Sequence, residues 1–321
     1  MQDSEIIVSV TLLVYNHEKY LRQAIDSILM QEVDFDFEIL VGDDHSTDNS
    51  RDIILEYKNN YPDIFVIKFQ EQNVGGTKNE YDLLMAAKGK YIASLEGDDY
   101  WIDNKKLQKT VDFLEQNSDY LGVSHIIEAR DLEGNYISRY PNSPEIIGKD
   151  ATVNLFLEGH YFSAVATVFR NIFLDLNQDY TIYYKAHKFV GDLTFCMLLL
   201  NKGKIKILDQ VMSVYRYRNV DGESNYNSIR NVIEQYNDHV DILNALNNYF
   251  ENKYDFTREY LVRTSVVFPY CIKFNKLKEF YTTFNKLPLN VRIQFCGYFP
   301  IYSFKWLLKK FKIFEMKTSL R

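Results

Sequence analysis

The sequence predicts an α/β fold: a Rossmann-like, mostly parallel sheet flanked by helices, followed by a helical C-terminal extension. Three observations lead there. Strand-like β-branched runs alternate with single helical patterns as far as Gln116, which implies right-handed crossovers and parallel pairing. A short polar cluster follows each of the first four runs. Beyond about Tyr226 only helical patterns remain, which divides the chain into an expected α/β domain, residues 1–225, and a helical region, residues 226–321.

Taken in order, residues 6–14 form a buried strand, then come Tyr15-Asn16 and a helical pattern over residues 18–30. Residues 37–41 repeat the arrangement and lead through Asp43-Asp44-His45-Ser46 to a helix over residues 50–59. Residues 64–69 are a third strand, and Asn73-Val74-Gly75-Gly76 opens onto a helix over residues 79–87. A fourth strand, residues 91–95, runs into Glu96-Gly97-Asp98-Asp99. In open α/β sheets ligands sit at the carboxyl ends of the strands, and all four polar clusters fall there. An amphipathic helix follows over residues 104–116. Strands over residues 121–129 and 136–140 flank a hairpin turn at Leu132-Glu133-Gly134-Asn135. Signals are weak over residues 141–159. Residues 163–169 read as a strand, residues 189–201 as a helix with Gly191-Asp192 at its start, and residues 205–208 and 211–217 as two strands. Helices over residues 229–250, 256–268 and 273–284 complete the count.

The acidic cluster after the fourth strand is the most informative stretch. Three carboxylates within four residues repel one another and raise each other's pKa unless positive charge sits among them. Mg²⁺ or Mn²⁺ answers that need, because either takes one or two carboxylates and completes its shell with water and phosphate oxygens. For an isolated Asp-Asp pair the commoner reading is an acidic, solvated turn that caps a helix.

Composition narrows the alternatives. The formal net charge of −7 gives a nucleic-acid partner no overall electrostatic support. Cys196, Cys271 and Cys296 are scattered without CxxC spacing, which argues against a disulfide framework or a zinc site and fits a cytoplasmic setting. MQDSEIIVSV lacks a basic segment followed by a long apolar one, so no signal peptide is expected. The tail, residues 301–321, interleaves Phe304, Trp306, Leu307, Leu308, Phe311 and Phe314 with Lys305, Lys309, Lys310 and Lys312. That composition suits a helix on an anionic membrane surface, and equally one docked on its own domain.

The ordered set VSVTLLVYN, EILVGDDHSTDNS, NVGG, GKYIASLEGDDYW and FVGDLTF resembles the family 2 glycosyltransferases, inverting enzymes of the GT-A fold, over roughly residues 5–220. The resemblance implies that residues 1–225 form a nucleotide-sugar-binding and catalytic domain. It places Val14, Tyr15, Asn16 and Glu18 at the edge of the nucleotide-base pocket, although the family often has Pro-Thr where Leu13-Val14 stand. Asp44 becomes the acceptor for base or ribose, with Asp43 beside it, and Asn73 and Gly75 the stretch that lets backbone approach the donor. Glu96-Gly97-Asp98 takes the place of the DxD signature, with Asp98 the direct metal ligand and Glu96 and Asp99 acting through water or sugar hydroxyls. Asp192 is implied as the general base, Gly191 standing where the family more often has Glu. Arg218 replaces a family His that ligates the metal, and is expected to clamp the leaving diphosphate instead. Expected partners are a nucleotide-sugar donor and a glycan or lipid-linked acceptor, with divalent Mn²⁺ or Mg²⁺ as cofactor. A dinucleotide-binding Rossmann domain is disfavoured because no GxGxxG follows the first strand. A receiver-like signalling domain gives no reason for Asp98-Asp99 or Asp192. A non-catalytic carbohydrate-binding relative stays open.

Overall fold

A computed structural model describes residues 5–217 and 230–297, grouped into two units, Met1–Val220 and Asp221–Arg321. The first unit is built on a ten-stranded sheet. Its strands are β1 (Val8–Val14), β2 (Phe37–Asp43), β3 (Phe65–Phe69), β4 (Tyr91–Glu96), β5 (Tyr100–Trp101), β6 (Tyr120–Arg130), β7 (Tyr136–Tyr140), β8 (Asp150–Ala151), β9 (Val168–Arg170) and β10 (Lys204–Arg216). The order β3-β2-β1-β4-β9-β6-β10-β5 adds β7 on β6 and β8 on β10. The α/β sheet read from sequence is present, and the pairing is parallel across β3-β2-β1-β4. Beyond β4 it becomes mixed, because β9 enters antiparallel to both β4 and β6.

The burial pattern follows position in the sheet. Central β1 is covered on both faces, which is why VSVTLLV is apolar almost throughout rather than alternating. Edge strand β3 alternates, with Phe65 buried and Val66 and Lys68 exposed. Helix α1 (Leu21–Leu29) buries Leu21, Ala24, Ile25 and Ile28, the i, i+3, i+4, i+7 stripe of an amphipathic helix. Helices α2 (Ser50–Asn60), α3 (Gly76–Ala86) and α4 (Lys106–Gln116) match the expected crossovers, α3 beginning three residues early at the Gly75-Gly76 turn.

Three expectations are corrected. Residues 163–167 are not strand: only Val168–Arg170 pairs, and the preceding segment turns back on itself through Thr167 Oγ1 donating to the Ser163 carbonyl at 2.8 Å. Residues 204–216 form one continuous strand whose register slips between Ile207 and Ser213, the interruption that read as a break between two strands. The weakly patterned stretch holds β8 and the short α5 (Val153–Leu157), capped by Thr152. Helices α6 (Ile182–Lys185) and α7 (Asp192–Lys202) complete the first unit.

The second unit is helical: α8 (Val232–Tyr249), α9 (Thr257–Lys273), α10 (Leu277–Phe284) and helical residues 289–297. A capping box starts α8, the Asn231 side chain accepting from the Glu234 N–H and Glu234 accepting in return. Helix α9 runs through Pro269 to Lys273, past the end expected at Phe268. Phe280 centres the packing, its ring 4.8 Å from Phe268 and 5.3 Å from Phe284 between centroids. No helix among the described residues is long and apolar enough to cross a membrane. The tail, residues 301–321, and Arg218 lie outside the described residues.

Candidate active site

Register brings the strand-end clusters together. Val14 pairs with Asp43, Leu13 with Glu96, and Asp43 with Phe69, so β1, β2, β3 and β4 release their polar loops at one edge. The loops after β1 and β2 are stitched to each other. Asn16 N–H donates to Ser46 Oγ at 2.9 Å, Thr47 N–H to Asn16 Oδ1 at 2.8 Å, Glu18 N–H to Asp48 Oδ2 at 2.9 Å, and Asn49 N–H to Glu18 Oε2 at 3.0 Å. The Asn16 and Glu18 side chains therefore shape the loop pair, Val14 is buried wall, and Tyr15 is partly exposed beside them.

Asp43 is fully buried and its Oδ2 accepts from Arg51 Nε at 2.6 Å and Ser46 N–H at 3.1 Å. Arg51, which the sequence reading passed over, also donates to the Gln70 carbonyl at 2.8 Å and tethers β3 to the site. Asp44 turns the other way. Its two oxygens accept from Val74 N–H at 2.6 Å and Gly75 N–H at 2.9 Å, while Asn73 Nδ2 donates to the Asp44 carbonyl at 3.3 Å. Burial raises the Asp44 pKa despite those two bonds. Lys188 closes over the loop, its Nζ donating to the Asn73 carbonyl at 3.2 Å.

Gly75 is required here. Its φ is 95°, and a Cβ would lie 2.3 Å from Lys188 Cγ and 2.6 Å from the Lys188 carbonyl oxygen. Gly75→Ala is expected to cost about 1–3 kcal/mol from backbone strain, with the clash added. Thermal melting reads this as a drop of at least about 2–4 °C per kcal/mol for a protein of this size.

Glu96, Asp98 and Asp99 bring carboxylate oxygens within 4.8 Å of one another. His17 Nε2 lies 3.8 Å from Asp98 Oδ2. Burial first, then the charges of Asp98 and Glu96, push the Asp99 carboxyl well above the ordinary range. Arg216 brings a cation to this turn. Its N–H donates to Asp99 Oδ1 at 2.9 Å, and its guanidinium donates to the Asp98 carbonyl and to Gln23 Oε1. Tyr20 and Tyr100 stack on it at 4.9 and 4.6 Å.

A cavity of about 450 Å³ joins this acidic end of the sheet to Asp192, the first residue of α7. Glu96, Asp99 and Asp192 all line it, together with Tyr140, Phe162, Val165, Tyr215 and Tyr217. Asp192 is exposed to solvent at the cavity, and the protein packed around its carboxyl raises its pKa by desolvation. Asp43 and Asp44 do not line this cavity. They connect to it through the segment before Asp192: Thr77 Oγ1 donates to the carbonyls of His187 and Lys188 at 2.7 and 2.9 Å, tying the Asn73–Gly75 loop to the chain that leads into α7.

The sequence profile of Glycosyl transferase family 2 matches residues 9–175. An uncharacterized Mycobacterium tuberculosis protein is 34% identical over 163 residues, 51% of this chain and 46% of that one, so the chain spans about half the length of the first curated relatives it matches. The Escherichia coli UDP-Glc:alpha-D-GlcNAc-diphosphoundecaprenol beta-1,3-glucosyltransferase is 30% identical over 135 residues, 42% of this chain and 52% of that protein. The crystal structure of S. aureus TarS in complex with UDP-GlcNAc superposes with a TM-score of 0.63 at 19% identity, covering 89% of this chain and 83% of that one, a likeness of fold.

Proposed function

The chain belongs to glycosyl transferase family 2, and on that footing we propose that it moves a sugar from a UDP-sugar to an acceptor hydroxyl with inversion, assisted by a divalent cation. The observation that carries this reading is the single cavity shared by Glu96, Asp99 and Asp192. The acidic trio fits a hard cation: clustered oxygen donors, one of them raised by burial and by its neighbours' charge, with two tyrosines and an arginine holding the turn. Asp98 and Asp99 would hold Mn²⁺ or Mg²⁺, with Glu96 alongside. When bound, the cation supplies positive charge against the diphosphate that leaves.

The chain's own groups do the rest. Asp192 accepts the proton of the acceptor hydroxyl as that oxygen bonds to the anomeric carbon, while the bond to the diphosphate breaks and UDP departs with its electron pair. A raised pKa makes Asp192 a stronger base than an ordinary carboxylate. Asp44, Asn73 and Gly75 form the donor loop, and Asp43 backs it through Arg51. Tyr140, Tyr215 and Tyr217 offer rings against which a sugar can stack. We place the acceptor among glycans or lipid-linked glycans of surface polysaccharides, a choice supported by the E. coli relative, a glucosyltransferase acting on a diphosphoundecaprenol-linked sugar. The basic, aromatic tail supports contact with an anionic membrane surface.

A thermal-shift screen of UDP- and GDP-sugars, with and without Mn²⁺, tests the reading without knowledge of the acceptor. A UDP-sugar with Mn²⁺ is expected to stabilise the protein by about 2.7 kcal/mol at a ligand concentration one hundred times Kd. Absence of a shift with every nucleotide sugar would contradict it.

A further inference from the structure

Behind Asp192 lies a buried acid that the proposed reaction does not use. Glu80, on α3, is 7% exposed, and its Oε2 accepts a hydrogen bond from the hydroxyl of Tyr183 on α6. The Tyr183 ring also fills the space beside Gly191, the residue before Asp192. A Cβ placed on Gly191 would meet Tyr183 Cε2 at 2.7 Å and its hydroxyl oxygen at 2.8 Å. One turn into α7, Phe195 packs on the same ring with centroids 5.1 Å apart. The start of α7 is thus seated on Tyr183, and Tyr183 is tied to Glu80.

We propose that Glu80 and Tyr183 are positioning residues for Asp192: the ring fixes the Gly191–Asp192 turn, and the buried carboxylate fixes the ring through its hydroxyl. The proposal rests on the reading of Asp192 as the base. The link is electrostatic as well as steric, since the charge of Asp192 acts on Glu80. Glu80 faces Tyr183 from α6, Asp192 from α7 and the Ser94 hydroxyl from β4. Asp192 in turn faces Tyr140 from β7 and Cys196 on its own helix, and Glu96 acts on Tyr183. Burial and then the charge of Asp192 lift Glu80 to about 7, against the Tyr183 bond that lowers it. Near neutrality the two acids therefore share fewer than two negative charges. As pH falls Glu80 takes up its proton first, so Asp192 titrates beside a neutral Glu80 and its raised pKa comes from burial.

The experiment measures UDP release from UDP-glucose and UDP-GlcNAc with Mn²⁺ as a function of pH, for the wild type, Glu80→Gln, Tyr183→Phe and Asp192→Asn. Both positioning variants are expected to lose about tenfold or more in kcat with KM for the UDP-sugar within about twofold. A loss confined to kcat, with KM and the acid limb set by Asp192 unchanged, separates a misplaced base from loosened packing of the site, which would raise KM as well. Tyr183→Phe removes one hydroxyl and keeps the ring, so it remains informative if Glu80→Gln does not fold. UDP-induced thermal shifts equal to the wild type's would confirm that the donor site is intact. If the wild type and both positioning variants share one kcat and one pH profile while Asp192→Asn is inactive, the pairing is overturned and the base assignment stands. An Asp192→Asn variant as active as the wild type overturns the base assignment and the pairing with it.

Discussion

Asp192→Asn is expected to lower sugar transfer by on the order of 10²–10⁴-fold while leaving UDP binding within about twofold of the wild type. Asparagine matches aspartate in shape but cannot take the proton of an attacking hydroxyl. Asp192 lines the same cavity as Glu96 and Asp99 but from a separate element, α7, so the substitution leaves the donor-side groups in place. The wild-type pH dependence follows from the direction of the Asp192 shift. A raised pKa means the carboxylate protonates sooner as pH falls, so the acid limb of the rate should lie above the ordinary aspartate value of about 3.9. The limb should disappear in the Asn variant's residual rate. UDP release measured against pH reads both effects, and an Asn variant of undiminished activity would end the assignment.

The second large effect concerns the acidic trio, and it has opposite signs with and without metal. Chelation by EDTA should suppress activity, and added Mn²⁺ or Mg²⁺ restore it. Asp98→Asn should weaken metal affinity by at least on the order of 10–100-fold, the loss found even for outer-shell partners of metal ligands. In metal-free protein the same change removes one of three mutually repelling carboxylates. Asp98→Asn without metal should therefore melt at or above the wild type, and with Mn²⁺ and UDP it should fail to gain the wild type's shift. The pH dependence has a matching sign. Asp99 has a folded pKa above its unfolded value, so its protonation on acidification favours the folded state, and stability from this source declines as pH rises through the folded pKa. Bound cation should flatten that dependence.

What the sequence displayed and what it concealed divide along the range of the contacts. Strands β1 to β4 and helices α1 to α4 were legible because each buries a regular apolar pattern, and their polar loops follow at once. The acidic trio was legible for the same reason, being contiguous. The far wall of the cavity was not. Phe162, Ser163 and Val165 belong to a segment with strand-like composition whose backbone instead closes a local turn. Arg216 was overshadowed by Arg218 in Tyr215-Arg216-Tyr217-Arg218, because sequence cannot tell that Tyr20 and Tyr100, from distant segments, close around the first arginine. Nothing in the helical pattern over residues 79–87 marks Glu80, its partner Tyr183 lying 103 positions away. The carboxylate of Asp44 was expected to face a nucleotide and here ties down the Val74-Gly75 backbone, an arrangement that depends on how the Asn73 loop folds back under Lys188.

The account turns on whether the trio holds a cation against a nucleotide's diphosphate within reach of Asp192. Anomalous scattering from crystals of the full chain grown with Mn²⁺ and UDP measures that directly. The account predicts a manganese peak coordinated by Asp98 and touching the diphosphate oxygens, at the end of the cavity that Asp192 faces. UDP bound with its manganese elsewhere, or with none at Glu96, Asp98 and Asp99, would contradict it.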